Sequence, residues 1–177
     1  MSVTQWLAAI RLEVDVSSER GPRQDTDQDI KLEEIMRPAV TITPDASERE
    51  ALKVLLENDI PGVPVVDEEG LLVGFVTDGH LLASALPEYL KVMADVSFVS
   101  EAGDEWVEYF AGSAERPVSE VMSTEVSQIE IGKSEVVVAH KMVHDGVSSV
   151  VVTDAGKVVG IVTRLDLYAA IIDIVPD

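Results

Sequence analysis

Cysteine is absent from the 177-residue chain, which excludes disulfide bonds, thiolate metal sites and thiol nucleophiles. Basic residues are scarce, because 13 Lys and Arg stand against 33 Asp and Glu and give a formal net charge of −20. Such a field repels nucleic acids and anionic membranes, since both are bound through clustered Lys and Arg. We therefore expect no nucleic acid and no membrane among the partners, although a local pocket can still hold a small anion.

Long apolar runs are also missing. No run approaches the roughly 20 residues that a membrane-spanning helix needs. Residues 1–24 lack the basic start of a signal peptide, and Arg11 interrupts their short apolar patch. The apolar fraction of 46% is ordinary for a folded protein. Together these features favour a cytoplasmic protein.

An internal repeat organises the rest of the chain. Residues 35–82 and 121–168 follow the same pattern at an offset of 86 or 87 positions. Met36 matches Met122, and Thr77 matches Thr163. Each copy reads as a short extended segment, an amphipathic helix, two strands joined by an acidic-glycine turn, and a closing helix. The predicted unit is β-α-β-β-α, and two such units packed together would bury enough apolar surface to fold.

Serine residues mark the start of the first helix in each copy. Ser47 and Glu50 form an S-x-x-E capping box, and Ser134 occupies the same place in the second copy. The apolar residues behind them recur at helical spacing. The predicted buried faces are Ala51, Val54 and Leu55 in the first copy and Ala139, Met142 and Val143 in the second.

The predicted domain organisation has four divisions. The divisions are 1–31, a poorly ordered lead-in; 32–83, repeat 1; 84–117, an aromatic-containing helical insert; and 118–175, repeat 2. Leu86, Leu90 and Met93 predict one helix in the insert, and residues 104–112 predict another. The insert has two readings. It covers an edge of the core, or it presents an aromatic anchor, Trp106, Tyr109 and Phe110, to a second subunit or a partner.

The repeated pattern of V-M, a helix, a P-V-V-D strand and G-h-V-T-x-x-D resembles the CBS domain over roughly residues 30–172. A tandem pair resembles a Bateman module. The resemblance implies an α+β fold in which two CBS repeats, each β-α-β-β-α, pack as a pseudo-two-fold disk with a helical insert between them. It also implies clefts that bind AMP, ADP, ATP or S-adenosylmethionine, a regulatory role towards a partner enzyme or transporter, and homodimers.

The second copy carries the stronger candidate site. Thr163 stands at a predicted helix start, where free backbone N–H groups favour a phosphate, and the Asp166 carboxylate can accept both hydroxyls of a ribose. T-x-x-D at a helix start is equally a capping box, and the two roles are compatible. The resemblance implies a ligand-binding set of Thr163, Asp166, Ile161, Arg164, Ser148, Ser149, Ile35, Arg37 and Ile60.

The first copy departs from this pattern, because His80 replaces the aspartate. An imidazole cannot accept a diol through two equivalent oxygens, so we expect a second, weaker cleft. Its expected residues are Thr77, His80, Phe75, Pro61 and Gly62. The alternative interpretation is that His80 is simply a solvated residue of the helix.

Ligand charge can be anticipated from the few cations near the predicted site. With only Arg37 and Arg164 nearby, a mono- or diphosphate is favoured, and ATP would need Mg²⁺ to offset its charge. S-adenosylmethionine, with its cationic sulfur, suits an acidic protein. No cofactor is required by any motif. His140 and His144 have a metal-compatible spacing but lack a third ligand, so an exposed helix face is expected there rather than a metal.

Two functional hypotheses follow. The first is a regulatory adenosine-nucleotide-binding, metabolite-sensing CBS-pair protein whose ligand lies between the repeats and acts allosterically on a partner. The alternative is a ligand-free structural or oligomerisation module. No G-x-S-x-G, P-loop or G-x-G-x-x-G motif occurs, so the chain is not expected to be an enzyme.

Overall fold

The computed structural model describes residues 30–93 and 103–172, with the backbone alone for residues 103–106. The predicted lead-in therefore lies outside the described residues, apart from its last two positions. The helices are α1 (Leu32–Ile35), α2 (Glu48–Asn58), α3 (Asp78–Ser84), α4 (Glu88–Lys91), α5 (Gly103–Ser113), α6 (Glu135–Asp145) and α7 (Arg164–Ile172). The strands are β1 (Gly62–Val66), β2 (Leu72–Thr77), β3 (Gln128–Glu130), β4 (Ser149–Asp154) and β5 (Lys157–Thr163).

Each repeat is built on an antiparallel hairpin. In repeat 1, β1 pairs with β2, and the expected leading strand is reduced to one parallel bridge from Ile42 to Val65. In repeat 2, β4 pairs with β5, and β3 adds a parallel strand on the other side of β4. Gly70 and Gly156 take a φ of +81° in the two hairpin turns, a conformation that residues with a side chain rarely adopt. The structure confirms the predicted α+β class.

Helix starts follow the sequence signals to different degrees. The predicted capping box is confirmed at α2, where the Glu50 amide donates to Ser47 Oγ and the Ser47 amide donates to Glu50 Oε2 at 2.7 Å. The hydrogen bonds from the Ser47 backbone and hydroxyl lower the pKa of Glu50. Ser134 precedes α6 as predicted but makes no side-chain capping bond.

The residues that begin each repeat, here called its leading segment, pack in the hydrophobic core of the other repeat. Leu32 and Ile35 of α1 lie at the start of repeat 1 in sequence, yet they pack in the core of repeat 2. Conversely, Val118 is the first residue of repeat 2 and is buried in the core of repeat 1. Neither repeat therefore completes its core from its own contiguous sequence, and the two fold as one interlocked unit.

Close packing of methionine on glycine fixes this exchange. A Cβ built on Gly160 would lie 2.8 Å from Met36 Sδ and 3.0 Å from the Arg37 carbonyl oxygen. Gly74 meets Met122 of the opposite segment in the same way. Glycine therefore allows each leading segment to lie against a strand of the other repeat.

We expect Gly160→Ala to lower the free energy of unfolding by about 1–3 kcal/mol, because the added methyl group overpacks the contact with Met36. Urea unfolding measures the change. Gly112→Ala in α5 is the matched control, since nothing lies within 4 Å of its Cβ and alanine favours a helix interior. Equal stability of the two variants would contradict the packing role of Gly160.

The insert joins repeat 1 through a buried carboxylate. Glu48 at the start of α2 accepts a hydrogen bond from Ser84 Oγ at 2.7 Å, and Arg116 Nε lies 3.2 Å from the same carboxylate. Ser113, the last residue of α5, is also buried, whereas Tyr109 is exposed. The C-terminal end of the insert thus covers part of repeat 1, as in the first reading of the insert. The Trp106 side chain of the predicted anchor lies outside the described residues.

Two helix predictions need correction. The helix expected through Leu86, Leu90 and Met93 is limited to the four residues of α4, because Pro87 lacks an amide hydrogen and starts a new turn. In α6, Val143 is 84% exposed, and Val138 joins Met142 on the buried face. No helix among the described residues is long and apolar enough to cross a membrane.

Candidate functional site

The two repeats meet along a seam with two equivalent backbone contacts. Arg37 and Ile161 exchange two hydrogen bonds of 2.9 Å each. Phe75 and Ser123 exchange two of the same length at the related position. The strands β2 and β5 therefore each run beside the leading segment of the other repeat. The helix that follows each strand starts at this seam.

On the α7 side of the seam, Asp166 is only 8% exposed. Its Oδ2 accepts hydrogen bonds from the Thr163 amide at 2.9 Å and the Thr163 hydroxyl at 2.7 Å. The Asp166 amide donates in turn to Thr163 Oγ1 at 3.3 Å. This is the capping arrangement that the T-x-x-D spacing allows, and it places a negative charge at a helix N-terminus, where the dipole favours it.

Arg37 reaches the same carboxylate from the other repeat's leading segment. Its Nε donates to Asp166 Oδ1 at 2.6 Å, and Nη2 contacts the same oxygen. The Arg37 side chain is 61% exposed, so one partner of this ion pair is largely solvated and the other is buried. Arg37 and Asp166, predicted for one cleft, are thus in direct contact across 129 positions of sequence.

The remaining residues predicted for this cleft have varied surroundings. Arg164 donates through Nε and Nη2 to the Val147 carbonyl at 3.1 and 2.8 Å, and its amide donates to the Ser148 carbonyl. Ile35 is buried in the core of repeat 2. Ile60 packs on the core of repeat 1. Among these, Arg164 therefore presents polar atoms near the start of α7.

On the α3 side of the seam, His80 takes the place of the aspartate. The Thr77 amide donates to His80 Nδ1 at 3.3 Å, and the His80 amide donates to Thr77 Oγ1 at 3.1 Å. The imidazole thus replaces the carboxylate in the capping box. Ser123 occupies the position equivalent to Arg37, so this side has no counterpart of the ion pair.

A cavity of about 310 Å³ lies beside His80. Its lining residues come from both repeats: Phe75, Thr77, His80, Ser123, Glu125, Val126, Ser127, Gly146, Val147, Ser148, Ser149 and Val151. Ser148 and Ser149, grouped with Thr163 on the basis of the resemblance, line this cavity. Pro61 and Gly62, expected here, lie outside this lining set, and the Pro61 carbonyl accepts a hydrogen bond from the Asp78 amide.

The cavity is rich in hydroxyl groups and acidic at its edge. Among the described residues that line it there is no lysine or arginine, and Glu125 is the carboxylate. At a neighbouring depression, Ser127 Oγ donates to Asp145 Oδ2 at 2.7 Å, a hydrogen bond that lowers the pKa of Asp145. This environment disfavours a phosphate and favours an uncharged or cationic ligand.

Sequence reasoning missed Ser123, Glu125 and Ser127 as cavity residues. They follow Met122 as Arg37 follows Met36, so the internal offset of 86 could have identified them.

His140 and His144 stack with ring centroids 5.7 Å apart on an exposed face of α6. Across residues 30–93 and 103–172, no group of three or more His, Asp or Glu side chains is placed to hold a metal ion.

Curated protein sequences include relatives of this chain. The chain is 30% identical over 148 residues to the uncharacterized protein MJ1404 of Methanocaldococcus jannaschii, an alignment that spans 83% of this chain and 33% of that protein. The chain spans about a third of the length, or less, of the curated relatives it matches.

Solved structures share the fold. The CBS domain of a CBS domain containing membrane protein from Sphaerobacter thermophilus is 28% identical, with a TM-score of 0.64 over 81% of this chain and 88% of that chain. The CBS domain pair of protein MJ0100, in complex with 5′-methylthioadenosine and S-adenosyl-L-methionine, is 25% identical, with a TM-score of 0.61 over 83% and 99% of the two chains.

The family itself is identified by two separate matches. Residues 32–86 and 118–173 each match the family model of the CBS domain, and together they cover more than half of the chain. Both matches coincide with the interlocked repeats. The chain therefore belongs to the CBS domain family and is a tandem CBS pair.

Proposed function

We propose that this CBS pair binds an adenosine compound at the seam between its repeats and acts as a ligand-sensing regulatory module. The observation that carries the proposal is the buried Asp166 carboxylate at the start of α7, where the two repeats meet. The Asp166 carboxylate can accept both hydroxyls of a ribose once the Arg37 side chain has moved away from it. The complex of MJ0100 with two adenosine compounds, in a chain that is 25% identical, supports the ligand class.

The groups around Asp166 suit the other parts of a nucleotide. Thr163 immediately precedes α7, whose first amide groups and dipole favour a phosphate. Arg37 and Arg164 supply positive charge next to the same helix start. Ile161, which lies beside Arg37, provides apolar surface for a base. AMP or ADP fits this set best, and ATP would bring more charge than two arginines offset without Mg²⁺.

The cavity beside His80 suits a different member of the same ligand class. Its hydroxyl groups can hydrogen-bond to a sugar or a base, and its edge is acidic. An uncharged compound such as 5′-methylthioadenosine, or the cationic S-adenosylmethionine, therefore fits this side better than a nucleotide. About 310 Å³ lies at the lower end of the volume range of small-molecule sites.

The decisive variant is Asp166→Asn, which keeps an acceptor for the helix cap and removes the charge. We expect the affinity for AMP to fall on the order of 100-fold, because two hydrogen bonds to a charged group contribute about 1.5–3 kcal/mol each and the amide replaces them only in part. Calorimetry of the full chain with AMP, ADP, Mg-ATP, 5′-methylthioadenosine and S-adenosylmethionine measures this.

The matched control is Asp78→Asn, at the start of α3. It removes the same charge from an exposed residue whose carboxylate accepts a hydrogen bond from the neighbouring Gly79 amide. Its affinity for AMP should equal that of the wild type. The proposal is wrong if none of the five compounds binds, or if Asp166→Asn binds AMP as tightly as Asp78→Asn does.

A ligand-free assembly module is the second candidate. It is supported by the exposed apolar residues Leu165, Tyr168 and Ile172, which lie on one face of α7 and could pack on a second copy. A stable homodimer in sedimentation equilibrium, combined with no response to any of the five compounds, would favour it. The partner enzyme or transporter and the cytoplasmic location expected from the sequence are part of the main proposal.

A further inference from the structure

All the hydrogen-bonding capacity of the Asp166 carboxylate is already used within the protein. A carboxylate offers about four lone-pair sites. Oδ2 accepts two hydrogen bonds from Thr163, and Oδ1 is contacted by two nitrogens of Arg37. A ribose diol can therefore bind Asp166 only if one of these partners leaves.

Arg37 is the partner that can leave. The Thr163 contacts are part of the cap of α7, so their loss would also cost helix stability. The Arg37 side chain, in contrast, is 61% exposed and its backbone is held independently by two hydrogen bonds to Ile161. Its guanidinium group can swing into solvent without moving the leading segment.

Displacing Arg37 has a cost that depends on the ligand. The guanidinium loses a charge-assisted contact with a buried carboxylate, and water replaces that contact only in part. A ligand with a phosphate near its ribose offers Arg37 a new anionic partner on the same side of the seam. An uncharged nucleoside offers none, so it bears the whole cost.

We infer that Arg37 is a specificity-determining residue that closes the Asp166 side to uncharged adenosine compounds and admits those that carry a phosphate. The inference rests on the proposed function, since it concerns the same site. The other repeat offers an internal comparison, because Ser123 takes the position of Arg37 there and His80 takes the position of Asp166. The two sides of the seam thus select opposite ligand charges.

The test compares AMP with adenosine in the wild type, in Arg37→Ser and in Arg37→Gln. Serine is the residue that the chain uses at the equivalent position, and glutamine can still hydrogen-bond to Oδ1 if the serine variant folds poorly. In the wild type we expect AMP to bind at least tenfold more tightly than adenosine. In both variants adenosine should gain affinity and AMP should lose it, so that the preference falls to about threefold or less.

Two controls keep the result specific. Arg49→Ser removes one positive charge from an exposed ion pair with Glu115 and should leave the AMP preference unchanged. Binding that persists in Asp166→Asn is assigned to the side with His80 and subtracted. If compounds bind but the preference survives in Arg37→Ser and Arg37→Gln, this inference alone is overturned. If no compound binds the wild type, the proposed function fails and the inference fails with it.

Discussion

Leu32→Ala is expected to lower the free energy of unfolding by about 2–5 kcal/mol, the range for truncating a fully buried leucine. Leu32 is 0% exposed and lies in one cluster with Val138, Val150 and Val162 of repeat 2. The variant leaves a cavity in the core of the repeat that is more distant in sequence. The loss should therefore appear as weakened protection of repeat 2.

Urea unfolding gives the size of the effect, and hydrogen exchange gives its location. Leu56→Ala is the control, because Leu56 is 73% exposed and its truncation should change stability by no more than about 0.5 kcal/mol. Faster exchange of the β4 and β5 amides in Leu32→Ala, beyond that of β1 and β2, is the expected pattern. Similar stability losses in the two variants would mean that α1 does not complete the core.

The exchange of leading segments shows what could not be predicted from the sequence. Apolar periodicity identifies the buried face of an element but not the core against which it packs. Leu32 and Ile35 lie at the start of the predicted repeat 1, whereas packing places them in the core of repeat 2. Local signals were more reliable: the Ser47 and Glu50 capping box and the hairpin turns were predicted, and the structure confirms them.

The functional site could be predicted from the sequence only where its contacts are local. Thr163 and Asp166 are three positions apart at a helix start, so their contact follows from helix geometry. The family resemblance placed Arg37 in the same cleft, but no local pattern indicates that it pairs with Asp166. Ser123, Glu125 and Ser127 form no local motif, and the sequence signal that marks them is their position after Met122, equivalent to that of Arg37 after Met36. The roles of Thr163, Asp166 and Arg37 in ligand binding stay predictions.

His80→Asp is expected to build a second ribose clamp beside the cavity on the α3 side. Aspartate at this position re-creates the T-x-x-D pattern with Thr77, and a carboxylate can accept the same backbone and hydroxyl hydrogen bonds that Asp166 accepts. The helix dipole also favours a negative charge there, so we expect no loss of stability. Ser123 leaves the new carboxylate without an arginine to compete with a ligand diol.

The expected gain is on the order of 100-fold for adenosine or 5′-methylthioadenosine, since two hydrogen bonds to a charged acceptor contribute about 3 kcal/mol or more. The sharpest measurement uses calorimetry on His80→Asp in the Asp166→Asn background, where the original side is disabled. His80→Asn in that background is the control, because it has a similar size without the charge.

Comparing the affinities for adenosine and AMP distinguishes a rebuilt ribose site beside His80 from a general gain in affinity for all ligands. With Glu125 and Asp145 at the edge and Ser123 in the position equivalent to Arg37, the rebuilt side should prefer adenosine over AMP, the reverse of the preference expected at Asp166. A site with the AMP preference of the wild type would show that the surrounding charges do not select the ligand. No gain over His80→Asn would show that a carboxylate at this helix start is insufficient to hold a ribose.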